Sequence, residues 1–244
     1  PTFYGDVTCA VAVFMCSYEK AAALVAEQLS PEIVPVRMTK GRALVAFSCY
    51  EYKNVMGVRP YNEIAIAIPV MVNPDFNVPV LPMVTDKFSR FGYYIAGMPV
   101  TSKENTIRGR TIWGLPKVTQ DIDIYREGGD TIVKAMDNDG TVYLSLRIPM
   151  DGTPTAFDVS SCLYSQLGGK LLKSRTDFRA TFNVKKNMQL LFKKGTKPAR
   201  PYIQLGDSSF APLLKRLEIE ETPFQTRYAE HMTSCFDLPD TLAP

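Results

Sequence analysis

Lys117 is the first candidate for a reactive side chain in this sequence. It lies in the segment 112–118, which reads IWGLPKV. A lysine amine has a reference pKa of about 10.4 and is protonated at neutral pH, so it cannot attack a carbonyl. Desolvation of a lysine disfavours its charged form and produces a nucleophile able to form a Schiff base. The alternative interpretation is a strand-edge lysine whose stem packs on apolar surface while its ammonium group reaches water.

Glu63 is the second candidate, because it interrupts the otherwise hydrophobic segment 61–71. Glutamate is rarely buried without a partner, so a carboxylate in such a strand indicates a proton-handling group that faces a cavity. A solvated glutamate at the start of a strand is the other interpretation. Tyr61 and Asn62 lie beside it as candidate hydrogen-bonding groups. Glu51 is a possible second cavity acid, although strand alternation equally allows it to point outward.

Three segments, in this order along the chain, resemble motifs of acetoacetate decarboxylase and its relatives. Segment 60–68 (PYNEIAIAI) resembles one motif, and segment 97–100 (GMPV) is similar to the strand that carries a pocket methionine. Segment 113–117 (WGLPK) resembles the aromatic-x-Pro-Lys signature of that family. A looser resemblance extends from about Cys9 to Leu238.

The resemblance implies a closed, cone-like β-barrel with the lysine inside. It makes Lys117 the catalytic nucleophile and Glu63 the group that transfers protons or orients the substrate. Met98 becomes a pocket-wall candidate, although a methionine in a barrel is also simple filling. Trp113, the only tryptophan, is alternatively a packing anchor. The candidate substrate-binding residues are therefore Tyr61, Met98, Trp113 and Glu51.

The sequence departs from the family pattern at two places. Val118 stands where acetoacetate decarboxylase has a second lysine after its nucleophile. No arginine precedes Arg37, so the family's N-terminal arginine, which helps to arrange the substrate carboxylate, has no match. The sequence does not say which group replaces it. Both departures leave the bond that is broken, and the identity of the substrate, open.

The leading hypothesis is a cofactor-free carbon–carbon lyase that decarboxylates an acetoacetate-like β-keto acid through an imine on Lys117. The second hypothesis keeps the Schiff base and changes the reaction to that of an aldolase, dehydratase or hydratase acting on oxo acids. The third is a non-catalytic barrel that binds a small molecule. In each case we expect the partner to be a small keto or oxo acid.

Composition is that of an ordinary globular protein, with 244 residues, 45% of them hydrophobic and 22% charged. The absence of a linker or repeat predicts one domain over residues 1–244. The net charge of +3 is too small to require a nucleic-acid partner.

Five scattered cysteines and no signal-like start predict a cytoplasmic protein. We expect a homo-oligomer of unspecified subunit number, no membrane association, no metal, and no metal site built on His231, the only histidine.

Hydrophobic periodicity predicts a mostly β (α+β) fold: an antiparallel barrel with peripheral helices. Helices are expected at 18–29, from a Ser102 cap to about residue 111, and at 210–217. The predicted strands are 7–14, 33–38, 42–52, 61–71, 93–98, 118–125, 131–136 and 141–148, with β-rich segments at 178–192 and 224–236.

Overall fold

The computed structural model describes residues 1–74, 79 and 90–242. The fold is mostly β, with 58% strand and 14% helix. The helices are α1 (Tyr18–Gln28), α2 (Lys103–Trp113) and α3 (Ala211–Arg216). The strands are β1 (Thr2–Ser17), β2 (Ile33–Pro35), β3 (Arg42–Val55), β4 (Tyr61–Val72), β5 (Phe91–Val100), β6 (Lys117–Thr119), β7 (Ile122–Glu127), β8 (Asp130–Met136), β9 (Val142–Pro149), β10 (Thr153–Leu167), β11 (Lys170–Lys186), β12 (Ile203–Leu205), β13 (Pro223–Phe236) and β14 (Asp240–Thr241).

Seven strands close into a barrel in the order β4-β3-β1-β13-β11-β10-β5, and β5 pairs back with β4. Most of these pairings are antiparallel, whereas β10 and β5 run parallel over a short contact at Leu163 and Tyr164. Strand β6 adds to β5 in parallel register. The expected antiparallel barrel with peripheral helices is confirmed. No helix among the described residues is both long and apolar enough to cross a membrane.

Alternating side chains give each barrel strand an inner and an outer face. The outer face packs against α1, α3 and a second sheet in the order β12-β9-β8-β7. Helix α1 begins at the Ser17 cap, whose hydroxyl accepts from the Lys20 amide, and its buried side carries Ala21, Leu24 and Val25. Because apolar residues cover the outer face too, most barrel strands are apolar on both sides.

The inner face holds two adjoining apolar clusters and a few polar groups. One cluster includes Val11, Leu44 and Phe182, and the other includes Ile95 and Met98. Other side chains that pack on these clusters keep accessible surface, and they include Tyr50, Tyr93, Phe157 and Leu163. The inner face therefore carries partly accessible side chains beside its apolar clusters.

Helix α2 and its C-terminal turn deliver Lys117 to the barrel. The helix ends at Gly114, which has a left-handed φ of 59°. A Cβ at this position would lie 2.2 Å from the Gln166 carbonyl oxygen, so only glycine fits. The Leu115 amide donates to the Gly109 carbonyl at 3.1 Å, and the chain then enters β6 at Lys117.

Two sequence expectations about the strands are corrected. The single strand expected at 118–125 divides into β6, in the barrel sheet, and β7, in the second sheet. Strand β10 was not expected, because its segment contains Pro154 and a largely exposed N-terminal half that lacks a clear apolar alternation. Its long pairing with β11 supplies the order that local sequence does not.

Candidate active site

An ion pair between Lys117 and Glu63 lies at the centre of the candidate site. The Lys117 Nζ atom is 2.5 Å from the Glu63 Oε2 atom. Only 7% of Lys117 and 4% of Glu63 is exposed. A contact this short between two buried charged groups is a strong, charge-assisted hydrogen bond. The structure thus brings together the two residues that sequence analysis assigned to catalysis.

Strand β5 positions both partners of the pair. Glu63 is paired with Val100 of β5 on one side, and Lys117 is paired with Met98 of β5 on the other. On β4, Tyr61, Glu63 and Ala65 alternate onto the inner face. The carboxylate and the amine therefore reach the same point inside the barrel, although 54 positions separate them along the chain.

Gly109 of α2 shapes the path of the Lys117 side chain. A Cβ added at Gly109 would lie 2.4 Å from Lys117 Cδ and 2.7 Å from Cε. The lysine stem therefore runs directly against the helix backbone and uses the space that any other residue would occupy. The close approach fixes where the amine arrives.

Four tyrosines, Tyr4, Tyr50, Tyr52 and Tyr61, surround the carboxylate as an aromatic cluster. The Tyr52 ring centroid lies 4.6 Å from that of Tyr4, 5.2 Å from Tyr50 and 4.7 Å from Tyr61. The Tyr52 hydroxyl donates to the Glu63 Oε1 atom at 3.3 Å. The Lys117 Nζ atom is 6.0 Å from the Tyr61 ring centroid. The site is therefore apolar in its walls but carries several hydroxyl groups.

These hydroxyls remain protonated at neutral pH. Burial raises the pKa of Tyr52 and Tyr61 well above the ordinary value, and the charge of Glu63 raises both further. Burial is also the main cause of the raised pKa of Tyr4 and Tyr50. Each tyrosine can therefore donate a hydrogen bond across the physiological pH range without taking up negative charge.

The Tyr61 hydroxyl is available for a further contact. Its oxygen is buried and has no hydrogen-bond partner of acceptable geometry within the part of the chain that the structure describes. The Tyr4 hydroxyl is near enough to affect the pKa of Tyr61, but the two hydroxyls are not arranged as a hydrogen bond of acceptable geometry. Buried polar groups are usually satisfied, so an unsatisfied one beside an ion pair suits contact with a bound molecule.

Met98 and Trp113 are brought near the pair in different ways. Met98 is 5% exposed and belongs to the same apolar cluster as Trp113 and Phe236. The Trp113 ring stacks on Phe236 at 5.2 Å, and its Nε1 atom donates to the Asp237 carbonyl oxygen at 2.7 Å. Trp113 therefore anchors the end of α2, with its polar atom already used, while Met98 lies beside Lys117 in register.

Glu51 is not brought to the site. Tyr50 and Tyr52 point into the barrel, so Glu51 between them points outward. There it forms an ion pair with Arg126 of the second sheet. The expectation that Glu51 contributes a second cavity acid does not match this placement, because the parity of β3 turns it away.

Arg108 was missed by sequence analysis. It precedes Gly109 in α2, is partly buried, and donates to the Thr2 hydroxyl at 3.2 Å. Its positive charge opposes, in part, the rise in the pKa of both Tyr4 and Tyr61. Arg108 therefore lies within electrostatic range of these side chains. Its position in the helix that leads into Lys117 was the available sequence clue. No group of three or more His, Cys, Asp or Glu side chains could hold a metal ion in the described ranges.

Gly109→Ala tests the close packing of α2 on Lys117. Alanine is the better helix former by about 1 kcal/mol, but its methyl group would overlap the lysine stem, and such overpacking costs roughly 1–3 kcal/mol. We expect a net loss of free energy of unfolding, measured in urea, and a longer Lys117–Glu63 distance in a crystal structure. The exposed neighbour Arg110→Ala should change stability by less than about 0.5 kcal/mol. A Gly109→Ala protein with raised stability and an unchanged ion pair would contradict this packing.

Comparisons with known proteins agree with the architecture. A family model described as acetoacetate decarboxylase (ADC) matches residues 1–236. The crystal structure of acetoacetate decarboxylase from Legionella pneumophila is similar with a TM-score of 0.72 at 13% identity, covering 100% of this chain and 87% of that one. A search of curated proteins found no match.

Two other solved structures share the fold. The enduracididine biosynthesis enzyme MppR complexed with pyruvate has a TM-score of 0.63 at 12% identity, over 100% of this chain and 91% of that chain. An acetoacetate decarboxylase-like enzyme from Sphingomonas wittichii RW1 has a TM-score of 0.62 at 14% identity, over 99% and 92%. At these identities the likeness concerns the fold. With the family model spanning nearly its whole length, this chain belongs to the acetoacetate decarboxylase family.

Proposed function

We propose that this protein is a cofactor-free carbon–carbon lyase that decarboxylates a β-keto acid through a Schiff base on Lys117. The observation that carries the proposal is the 2.5 Å contact between the amine of Lys117 and the carboxylate of Glu63 inside the barrel. An amine nucleophile needs a nearby group that accepts its proton, and Glu63 is within direct reach.

The first step transfers a proton within the pair. When the Lys117 ammonium gives its proton to Glu63, the product is a neutral amine beside a carboxylic acid. The amine attacks the substrate ketone and forms a carbinolamine. The Glu63 acid then returns the proton to the carbinolamine oxygen, which leaves as water, and the iminium forms. The same two side chains thus serve both halves of imine formation.

The iminium then acts as the electron sink for bond cleavage. The carbon–carbon bond to the carboxylate breaks, its electron pair moves into the iminium to give an enamine, and carbon dioxide leaves. Protonation of the enamine carbon regenerates an iminium, and water hydrolyses it to the product ketone and free Lys117. Imine formation leaves Glu63 as a carboxylate, so it must first take up a proton from water; it is then our candidate for delivering that proton to the enamine carbon, with Tyr52 holding its Oε1 atom at 3.3 Å.

Arg108 and Tyr61 are our candidates for holding the substrate carboxylate. Arg108 is the cation that acts on Tyr4 and Tyr61, and the Tyr61 hydroxyl has no acceptable partner among the residues described. Hydrogen bonds from an arginine and a neutral hydroxyl match a carboxylate well. Met98 supplies an apolar wall, and Trp113 supports it from behind. Arg108 would then take the place of the missing N-terminal arginine.

A second candidate function is an aldolase or dehydratase that uses the same imine. The observation that favours it is the structural likeness to MppR, which has been solved with the condensation product of pyruvate and imidazole 4-carboxaldehyde. An enamine on Lys117 can attack an aldehyde instead of taking up a proton. Product analysis separates the two functions: acetoacetate alone should release carbon dioxide and acetone, whereas pyruvate with an aldehyde should give a condensation product.

Reductive trapping tests the nucleophile. Incubation with acetoacetate or pyruvate and borohydride should attach the reduced substrate to Lys117, as located by peptide mass spectrometry. Lys117→Arg should abolish trapping and turnover, because a guanidinium stays protonated and cannot form an imine. The matched variant Lys103→Arg, at an exposed position of α2, should retain both. An adduct on another lysine, or no adduct with any keto acid, would contradict the assignment of Lys117 as the nucleophile.

Glu63→Gln tests the proton carrier. Glutamine keeps the size and much of the hydrogen bonding of glutamate but cannot exchange a proton, so turnover should fall about 10²–10⁴-fold. Activities are compared at a temperature where circular dichroism shows the variant folded, because removing one partner of a buried pair also lowers stability. The exposed Glu104→Gln serves as the control. Unchanged imine formation and turnover in Glu63→Gln would assign this carboxylate a purely structural role.

A further inference from the structure

Arg227 is an inward-facing cation that the proposed mechanism does not use. It lies in the middle of β13, paired with Val11 of β1 on one side and Val184 of β11 on the other. Both partners belong to the apolar cluster of the barrel interior. Arg227 nevertheless keeps some accessible surface.

The guanidinium of Arg227 has only partial compensation. Its Nε and Nη2 atoms donate to the Gln225 Oε1 atom at 3.0 Å and 2.7 Å, and its Cζ atom lies 4.8 Å from the Phe157 ring centroid. No carboxylate within residues 1–74, 79 and 90–242 forms an ion pair with it, and no acceptor in those ranges pairs with Nη1. Burial lowers the pKa of Arg227, because desolvation disfavours the charged form of the side chain.

Arg227 and the ion pair lie on strands that are not neighbours in the barrel. In the closed order of strands, β13 is three steps from β4 through β3 and β1, and four steps by the other route. Tyr93 of β5 and Cys9 of β1 both lie within electrostatic range of the Arg227 guanidinium. Tyr50 and Leu163 are among the partly accessible side chains that pack on the inner clusters.

We propose that Arg227 binds a second anionic group of the substrate, so that the preferred substrates are oxo acids with a carboxylate remote from the reacting ketone. This inference rests on the proposed function for the place of the ketone at Lys117. An arginine inside a barrel without a carboxylate partner is unfavourable until an anion arrives, and a guanidinium presents its N–H groups in a fork that fits a carboxylate. A substrate that spans the interior would satisfy both ends at once.

A matched pair of substrates tests the inference. 3-Oxohexanedioate and 3-oxohexanoate differ only in the far end, which is a carboxylate in the first and a methyl group in the second. The concentration that gives half-maximal borohydride trapping is measured for each. We expect the wild-type protein to prefer the diacid about ten- to a hundred-fold, the value of hydrogen bonds to a charged group, and Arg227→Gln to lose that preference. Longer 3-oxo diacids should show one optimal chain length.

The control variant is Arg179→Gln, an exposed arginine of β11 paired with Asp158, which should keep the wild-type preference. If Arg227→Gln does not fold, Arg227→Lys and Arg227→Met replace it: the lysine should keep part of the preference and the methionine none. Equal half-maximal concentrations for the two acids in the wild-type protein, or the same ratio in wild type and Arg227→Met, would overturn the inference.

A second measurement separates this inference from the proposed function. Hexanedioate and hexanoate have no ketone, so calorimetric binding of these acids requires no imine. We expect tighter binding of hexanedioate, and loss of that difference in the Arg227 variants. If no keto acid is trapped on Lys117 but hexanedioate binding depends on Arg227, the lyase proposal fails and the anion site stands. Trapping without any dependence on Arg227 in either assay leaves the lyase and removes the anion site.

Discussion

The buried contact between Lys117 and Glu63 is the interaction on which the rest of the structure depends. Removing two charges from water costs several kcal/mol for each ion, and only short, well-aligned contacts offset that cost. Replacing such a pair with apolar residues is often neutral or stabilising. We therefore interpret the pair as a feature kept for chemistry, which the fold has to support through packing elsewhere.

The barrel gives this support through closure. Because β5 pairs with β4 as well as with β10, the ring of seven strands has no free edge at the site, and Glu63 is fixed by neighbours on both sides. Lys117 arrives from outside the ring, through α2 and β6, and this route works only because Gly109 lets the lysine stem lie against the helix and Gly114 lets the chain turn. Two glycines thus position a nucleophile that the barrel strands themselves do not carry.

The resemblance to the family's motifs, and not local sequence alone, singled out Lys117 and Glu63. The structure places their side chains in contact, whereas their roles stay a prediction. The outward placement of Glu51 could not be chosen from the sequence, because β3 is apolar on both faces and the pattern does not say which face is inside. Arg108 and Arg227 could not be identified from the sequence for a different reason. Their positions near the interior depend on contacts between distant parts of the chain, such as the pairing of β1 with β13.

The charges inside the barrel are the physical basis for the anionic ligand proposed above. Glu63 is matched by Lys117, while Arg227 of β13 and Arg108 of α2 bring positive charge with which no described carboxylate forms an ion pair. In the reaction proposed above, the iminium on Lys117 carries a positive charge beside Glu63, whereas the enamine is neutral. An interior of this kind is stabilised by any anion that it binds, because a ligand that binds only the folded state raises its stability. On the two proposals above, the positive charge that is not neutralised inside the barrel would favour an acid as its occupant.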